Sequence, residues 1–224
     1  MSKRNSTNRD AWKSLMERPP GQAIKGGGTY IYRHKLNQRE LSCSYCLYYK
    51  RKNCTLSSCM CIEERIEAGG VPTETILRCL SESECVKFKR RCFNVLNGGG
   101  EFMKTKDKMH ETRWQEALRE GRWSGRTMIS VVFLLTADAE IWKRTRAHII
   151  DSKICFEHVN FQELTEEQYA LISAAKDLYS GSRSLCLCDL ADVDMVSTEV
   201  FELVVTAMAI KRYGTGVLRK KGEK

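Results

Sequence analysis

The stretch Met128-Ile129-Ser130-Val131-Val132-Phe133-Leu134-Leu135 carries the longest apolar run of the chain, Val131 to Leu135. A membrane-spanning helix needs about 20 such residues. The stretch therefore predicts a helix buried on every side in a folded core, with Ser124 placed to cap its start. Helical signals recur on both sides of it. Asp107 can cap a helix over 108–120 that turns Met109, Trp114, Ala117 and Leu118 inward and stops at Gly121. Thr136 or Asp138 opens a further helix, with Ile141, Trp142 and Ile149 on its apolar side. Thr165-x-x-Gln168 is a capping-box pattern, followed by Tyr169, Ile172, Ala175, Leu178 and Tyr179 at helical spacing. A last helix runs from about Ser197 to Tyr213, with Phe201, Val204, Val205, Met208 and Ala209 inward and Gly214 as its stop. Five helices on short links predict a compact all-α domain over 101–224.

The N-terminal half reads differently. Residues 1–28 form a basic, polar stretch ending in Gly26-Gly27-Gly28 and broken by Pro19-Pro20-Gly21, which predicts a flexible arm. Its lack of an apolar segment argues against a secretory leader, so a cytoplasmic location and reduced thiols are expected. Gly98-Gly99-Gly100 stands as a joint between the halves. Between the joints lies a module over 29–97. It starts with strand-like Thr29-Tyr30-Ile31-Tyr32 and continues into short helices over 62–68 and from Pro72 to about Leu80. Ser81-x-x-Glu84 then suggests a helix over 82–95, which would place Cys85 and Cys92 on one face. The fold class expected is mainly α: a small cysteine-rich, zinc-bound module followed by a compact helical domain.

Charge follows the same division. The net charge is +9, from 37 Lys and Arg against 28 Asp and Glu. Residues 1–100 hold 18 of those cations and 9 of the carboxylates, so the whole excess lies in the first half. Eight of the eleven cysteines lie there too. A basic, metal-binding half suits an acidic partner such as nucleic acid.

Five cysteines are packed into 43–61 as Cys43-x2-Cys46-x7-Cys54-x4-Cys59-x-Cys61. Thiols this dense in a reducing compartment point to metal rather than disulfides. The C-x2-C knuckle lets two thiolates converge on one ion, and four sulfurs at about 2.3 Å satisfy tetrahedral zinc. Cys43 and Cys46 supply one pair, with the other drawn from Cys54, Cys59 and Cys61. Cys79, Cys85, Cys92 and His34 are further candidates. An iron–sulfur cluster is the alternative, although the x7 gap departs from common ferredoxin spacings. A closed four-thiolate site is a structural staple with no open catalytic position.

Tyr45, Tyr48, Tyr49, Lys50, Arg51 and Lys52 lie inside this module. Aromatics beside cations can stack on unpaired bases while the cations neutralise phosphates. Lys87, Lys89, Arg90 and Arg91 form a second basic cluster. In the helical half, Cys155, Cys186 and Cys188 read first as small buried hydrophobes, with a second metal site as the other option. Asp189, Asp192 and Asp194 lack calcium-loop spacing and read as turn caps before the last helix. His110-Glu111 lacks the second histidine of a metalloprotease helix, and no phosphate-binding glycine loop or nucleophile–base pair is visible. An enzyme is not expected.

The segment Cys43-Ser-Tyr-Cys46-Leu-Tyr-Tyr, continuing to Cys59-Met-Cys61-Ile-Glu-Glu-Arg65, resembles a cysteine-rich segment in small proteins of phages and mobile elements of Gram-positive bacteria. The helical half resembles a bacterial family of unknown function through the 128–135 helix, Ala174 to Tyr179, and Phe201 with Ala209 to Gly214. These resemblances imply a phage or mobile-element setting and supply no activity. In that setting two functions suit the residues. One is a non-enzymatic accessory protein that binds nucleic acid or a nucleoprotein. The other is an anti-defence inhibitor, of anti-CRISPR type, that blocks a host nuclease.

Overall fold

The computed structural model describes residues 59, 62–67, 69, 71–82, 85–121, 123, 125–151 and 153–218. All belong to one of the chain's two compact units, residues 37–224. The described part is mainly helical. In chain order it holds α1 (Ile62–Glu67), α2 (Thr73–Leu80), α3 (Val86–Asn97), α4 (Lys108–Glu120), α5 (Gly125–Thr136), α6 (Ala139–Arg146), α7 (Glu166–Ser180) and α8 (Thr198–Tyr213). Between α6 and α7 sits a short antiparallel hairpin of β1 (Ile149–Ile150) and β2 (Lys153–Ile154), pairing Ile149 with Ile154. The hairpin takes Ile149 out of the helical stripe expected of it.

The apolar stretch around Val131 is the central helix, as its composition requires. Met128 and every residue from Ser130 to Thr136 of α5 are buried, and α4, α7 and α8 pack around it. Its C-terminal carbonyls find side-chain partners, which a buried helix end needs. His110 Nε2 meets Phe133 O at 2.9 Å and Arg113 Nε donates to Thr136 O at 2.8 Å. The other ends follow the sequence signals. Asp107, Asp138, Thr165 and Ser197 cap their helices through side-chain oxygens, Thr165 with Gln168 in a reciprocal capping box. Gly181 ends α7 at φ 73°, a left-handed conformation that favours glycine.

The differences from expectation have local causes. Met109 is 64 % exposed, and His110 points inward instead. That imidazole is tolerated in the core because its Nδ1 accepts from Lys106 N at 3.0 Å while Nε2–H donates to Phe133 O. Tyr169 is likewise exposed, and the inward face of α7 is the run Ala170 to Ala175. Ser81 does not open a helix at 82. Its N–H bonds Leu77 O and its hydroxyl donates to Arg78 O, so it closes α2, and α3 begins at Val86 with Cys85 as its N-cap residue.

Gly100, the last of the glycine run at 98–100, is packed rather than part of a free joint. A Cβ on Gly100 would stand 2.3 Å from Val95 Cγ1 and 2.6 Å from Glu202 Oε1 of α8. Ile76, Leu77, Phe88 and Cys92 share one hydrophobic core with Phe133, Phe201 and Ile210. The described helices on both sides of the run thus form a single core. Arg126 reinforces it by a bidentate pair with Glu63 of α1 and a bond to Arg212 O.

Candidate functional site

Of the five cysteines expected to hold zinc, only Cys59 is described. It is half-buried, and its carbonyl accepts from Ile62 N at the start of α1. Cys43, Cys46, Cys54 and Cys61 lie outside the described residues, as do Tyr48, Tyr49, Lys50, Arg51 and Lys52. Among the described residues, no three His, Cys, Asp or Glu side chains form a group that could hold a metal ion.

The second basic cluster splits in two. Lys87, Lys89 and Arg90 are exposed on α3, and none is in an ion pair among the described residues. They occupy its N-terminal half, and its first turn holds no acidic residue. The positive end of a helix dipole disfavours cations, so the fold does not gain from their placement. Lys87 and Arg90 line an open groove of about 650 Å³ whose other walls are Arg91, Asn94, Val95, the three glycines, Ala191, Val193 and Thr198.

Arg91 does not belong with them. It is 5 % exposed, and its guanidinium lies 4.4 Å from the centre of the Phe201 ring. Nη1 donates to Leu190 O and Asp192 O at 2.8 and 2.7 Å, and Nη2 to Val196 O at 2.5 Å. Burial lowers its pKa from the ordinary value, opposed by the nearby Asp192 carboxylate. Arg91 is the bolt that ties α3 to the loop before α8, with both Nη atoms engaged by backbone carbonyls.

The thiols divide in a similar way. Cys79 and Cys92 are fully buried in the core, and burial pushes the Cys92 thiol up to about 12. Cys155, half-buried, precedes the 3-10 turn Phe156–His158. Cys186 and Cys188 are exposed, not buried hydrophobes, and Cys85 is half-buried. Cys85 Sγ stands 3.7 Å from Cys188 Sγ across 103 residues of sequence. That pairing escaped the sequence reading, because periodicity groups residues along one helix and says nothing of a loop brought in from so far along the chain. The Cys186-x-Cys188 knuckle was the available signal.

Asp177 organises that loop. It accepts from Ser182 Oγ, Ser184 N and Leu185 N at 2.6 to 2.9 Å. Burial would raise its pKa, but these donors outweigh it and the carboxyl is lowered. Asp189 and Asp192 act as turn caps, accepting from Cys186 N and Asp194 N. Among the described residues no helix is long and apolar enough to cross a membrane. No family model, curated protein or solved structure matches the chain.

Proposed function

We propose that this chain is a non-enzymatic accessory protein of a phage or mobile element. It binds nucleic acid or a nucleoprotein complex, and the cysteines of 43–61 hold a structural zinc ion. The observation that carries the binding reading is the trio Lys87, Lys89 and Arg90. These cations are exposed and without ion pairs among the described residues, and Lys87 and Lys89 sit in the first turn, where a cation costs stability. An anionic partner would meet the cations and the positive helix end together. The non-enzymatic reading is supported by His110, whose two ring nitrogens are both committed to backbone groups and so carry no acid–base chemistry.

Exposed Val86 and Val193 lie beside the cations, Val193 on the groove wall. They favour a nucleoprotein surface over naked nucleic acid and keep the second reading open, in which the same face captures the RNA of a host nuclease complex. Titration of single-stranded RNA and duplex DNA at several salt concentrations separates these cases. Under the binding reading, Lys87→Glu/Lys89→Glu/Arg90→Glu weakens affinity at least ~10-fold and makes the salt dependence shallower by about two to three contacts. Equal affinity and slope in the variant would remove α3 from the interface. Absence of free nucleic-acid binding, with a nuclease complex still captured and the variant failing to capture it, would favour the inhibitor.

A further inference from the structure

We propose that an open pocket at the end of α4 takes an unpaired nucleobase with its phosphate, using Trp123 and Trp142 as stacking surfaces. Its residues are remote in sequence from the α3 cations, and the inference does not depend on that face.

The pocket has a volume of about 360 Å³, and three stretches of chain build it. The end of α4 and the link after it supply Glu120 and Trp123. Helix α6 supplies Trp142 and Arg146, and the hairpin supplies half-buried Ile149 and Asp151. Trp123 is fixed in place. Its Nε1–H donates to Ala117 O at 2.8 Å. Gly121 makes room for the ring, since a Cβ there would run into Cε2 and Cζ2 of the indole. With its N–H spent inside the protein, this indole has only its apolar surface to offer. Trp142 and Arg146 stand four residues apart, which puts them on one side of α6. Both indoles are half-buried. Neither ring meets another ring or a cation among the described residues. Aromatic surface left unpartnered on a pocket wall is what an unstacked base uses.

The charged walls narrow the ligand. Glu120, Arg146 and Asp151 are exposed, and none is in an ion pair among the described residues. Glu120 is the last residue of α4, at the negative end of its dipole, so the fold does not gain from a carboxylate there. An ionised carboxylate only accepts hydrogen bonds. The Watson–Crick edge of guanine offers it N1–H and N2–H side by side, a match for its two oxygens. Arg146 gives the opposite recognition, a planar fork of donors suited to phosphate. A small ammonium ion would suit the indoles and carboxylates but would meet Arg146 as a like charge. A small anion would meet two carboxylates. A nucleotide satisfies all three demands with its flat ring, its N–H donors and its phosphate. A base inside a duplex hides its faces and its pairing edge, so the ligand is a single strand or a free nucleotide.

The test titrates the full chain with guanosine monophosphate, guanosine and choline by calorimetry, with tryptophan emission as a second readout. Guanosine monophosphate is expected to bind at a single site. Trp142→Ala should weaken it roughly 10-fold, and Trp142→Phe should restore most of that loss. Glu120→Gln/Asp151→Asn, at exposed positions that leave the fold intact, should also weaken it roughly 10-fold. Arg146→Ala should weaken guanosine monophosphate and leave guanosine unchanged. Lys87→Glu/Lys89→Glu/Arg90→Glu should leave both unchanged, so failure of the α3 reading is distinguishable from failure here. Displacement of the nucleotide by a short single-stranded RNA assigns the pocket to a strand, and lack of displacement assigns it to free nucleotides. No binding of guanosine monophosphate by wild type overturns the proposal. So does equal affinity in the folded carboxylate variant, or choline bound in preference to the nucleotide, which would mark a site for cations. Displacement by duplex as effective as by single strand overturns it as well.

Discussion

Arg90 and Arg91 are neighbours in sequence and opposites in the fold. Arg90 stands in solvent at the rim of a groove, with no ion pair among the described residues. Arg91 is buried against Phe201, with three carbonyls around it. One residue of helix turns the side chain by about 100°, which is enough to move it from one face of α3 to the other. The contrast shows why a run of basic residues is not one site. A cation on the buried face survives only where the backbone supplies acceptors, and there it becomes part of the framework. Those on the open face are left for a partner.

Removing Arg91 should break the comparison most severely. Arg91→Ala leaves the carbonyls of Leu190, Asp192 and Val196 without their donor and opens a void beside Phe201. A loss of about 3 kcal/mol is expected, read as a fall in the urea midpoint. Arg91→Lys should recover little, because an ammonium lacks the planar fork that reaches carbonyls in two directions. Arg90→Ala should stay within about 0.5 kcal/mol of wild type. If the two alanine variants unfold alike, the division of α3 into structural and functional faces is wrong.

His110 extends the comparison to a second buried polar group that depends on backbone partners. Its desolvation outweighs the helpful bond to Phe133 O and lowers its pKa to about 4 from an ordinary 6.5. Both the folded and unfolded chains hold a neutral imidazole above about pH 6.5. Below that the unfolded chain takes up the proton first, so stability falls as the pH drops towards 4. The loss should total about 3 kcal/mol, at about 1.4 kcal/mol per pH unit. Urea unfolding at pH 7, 5.5 and 4.5 measures it. The part of the slope that disappears in His110→Gln belongs to this residue, and an identical slope in that variant would assign it elsewhere.

Much of the helical architecture could be read from the sequence, because its signals are local. Asp107, Asp138, Thr165 and Ser197 announce their helices within a turn, and the 128–135 stretch announces its own burial. Signals whose meaning depends on a distant partner failed. Met109 was expected on the apolar side of its helix, yet His110 points inward instead, its place set by Phe133 O, 23 residues later. Ser81-x-x-Glu84 had the letters of a capping box, but the Ser81 hydroxyl was already used by Arg78 O. The glycines at 98–100 looked like a linker, and only the approach of Glu202 to Gly100 reveals a tight crossing at its end. The candidate site divides along the same line. The exposure of Lys87, Lys89 and Arg90 is a helical-face property, whereas the meeting of Cys85 with Cys188 required the tertiary fold.

The smallest predicted effect tests the comparison most finely, because stability and binding should move in opposite directions. Lys87 lies in the first turn of α3, where the backbone N–H groups already present positive charge. Lys87→Glu replaces an unfavourable charge with a favourable one. It should raise stability by about 0.5 kcal/mol at low salt, with the gain fading as salt is added. The same substitution should weaken nucleic-acid binding. A residue kept for folding would lose stability on that change, and a residue idle on the surface would leave binding untouched. Only a cation held against the helix dipole for the sake of an anionic partner gives a gain in one measurement and a loss in the other.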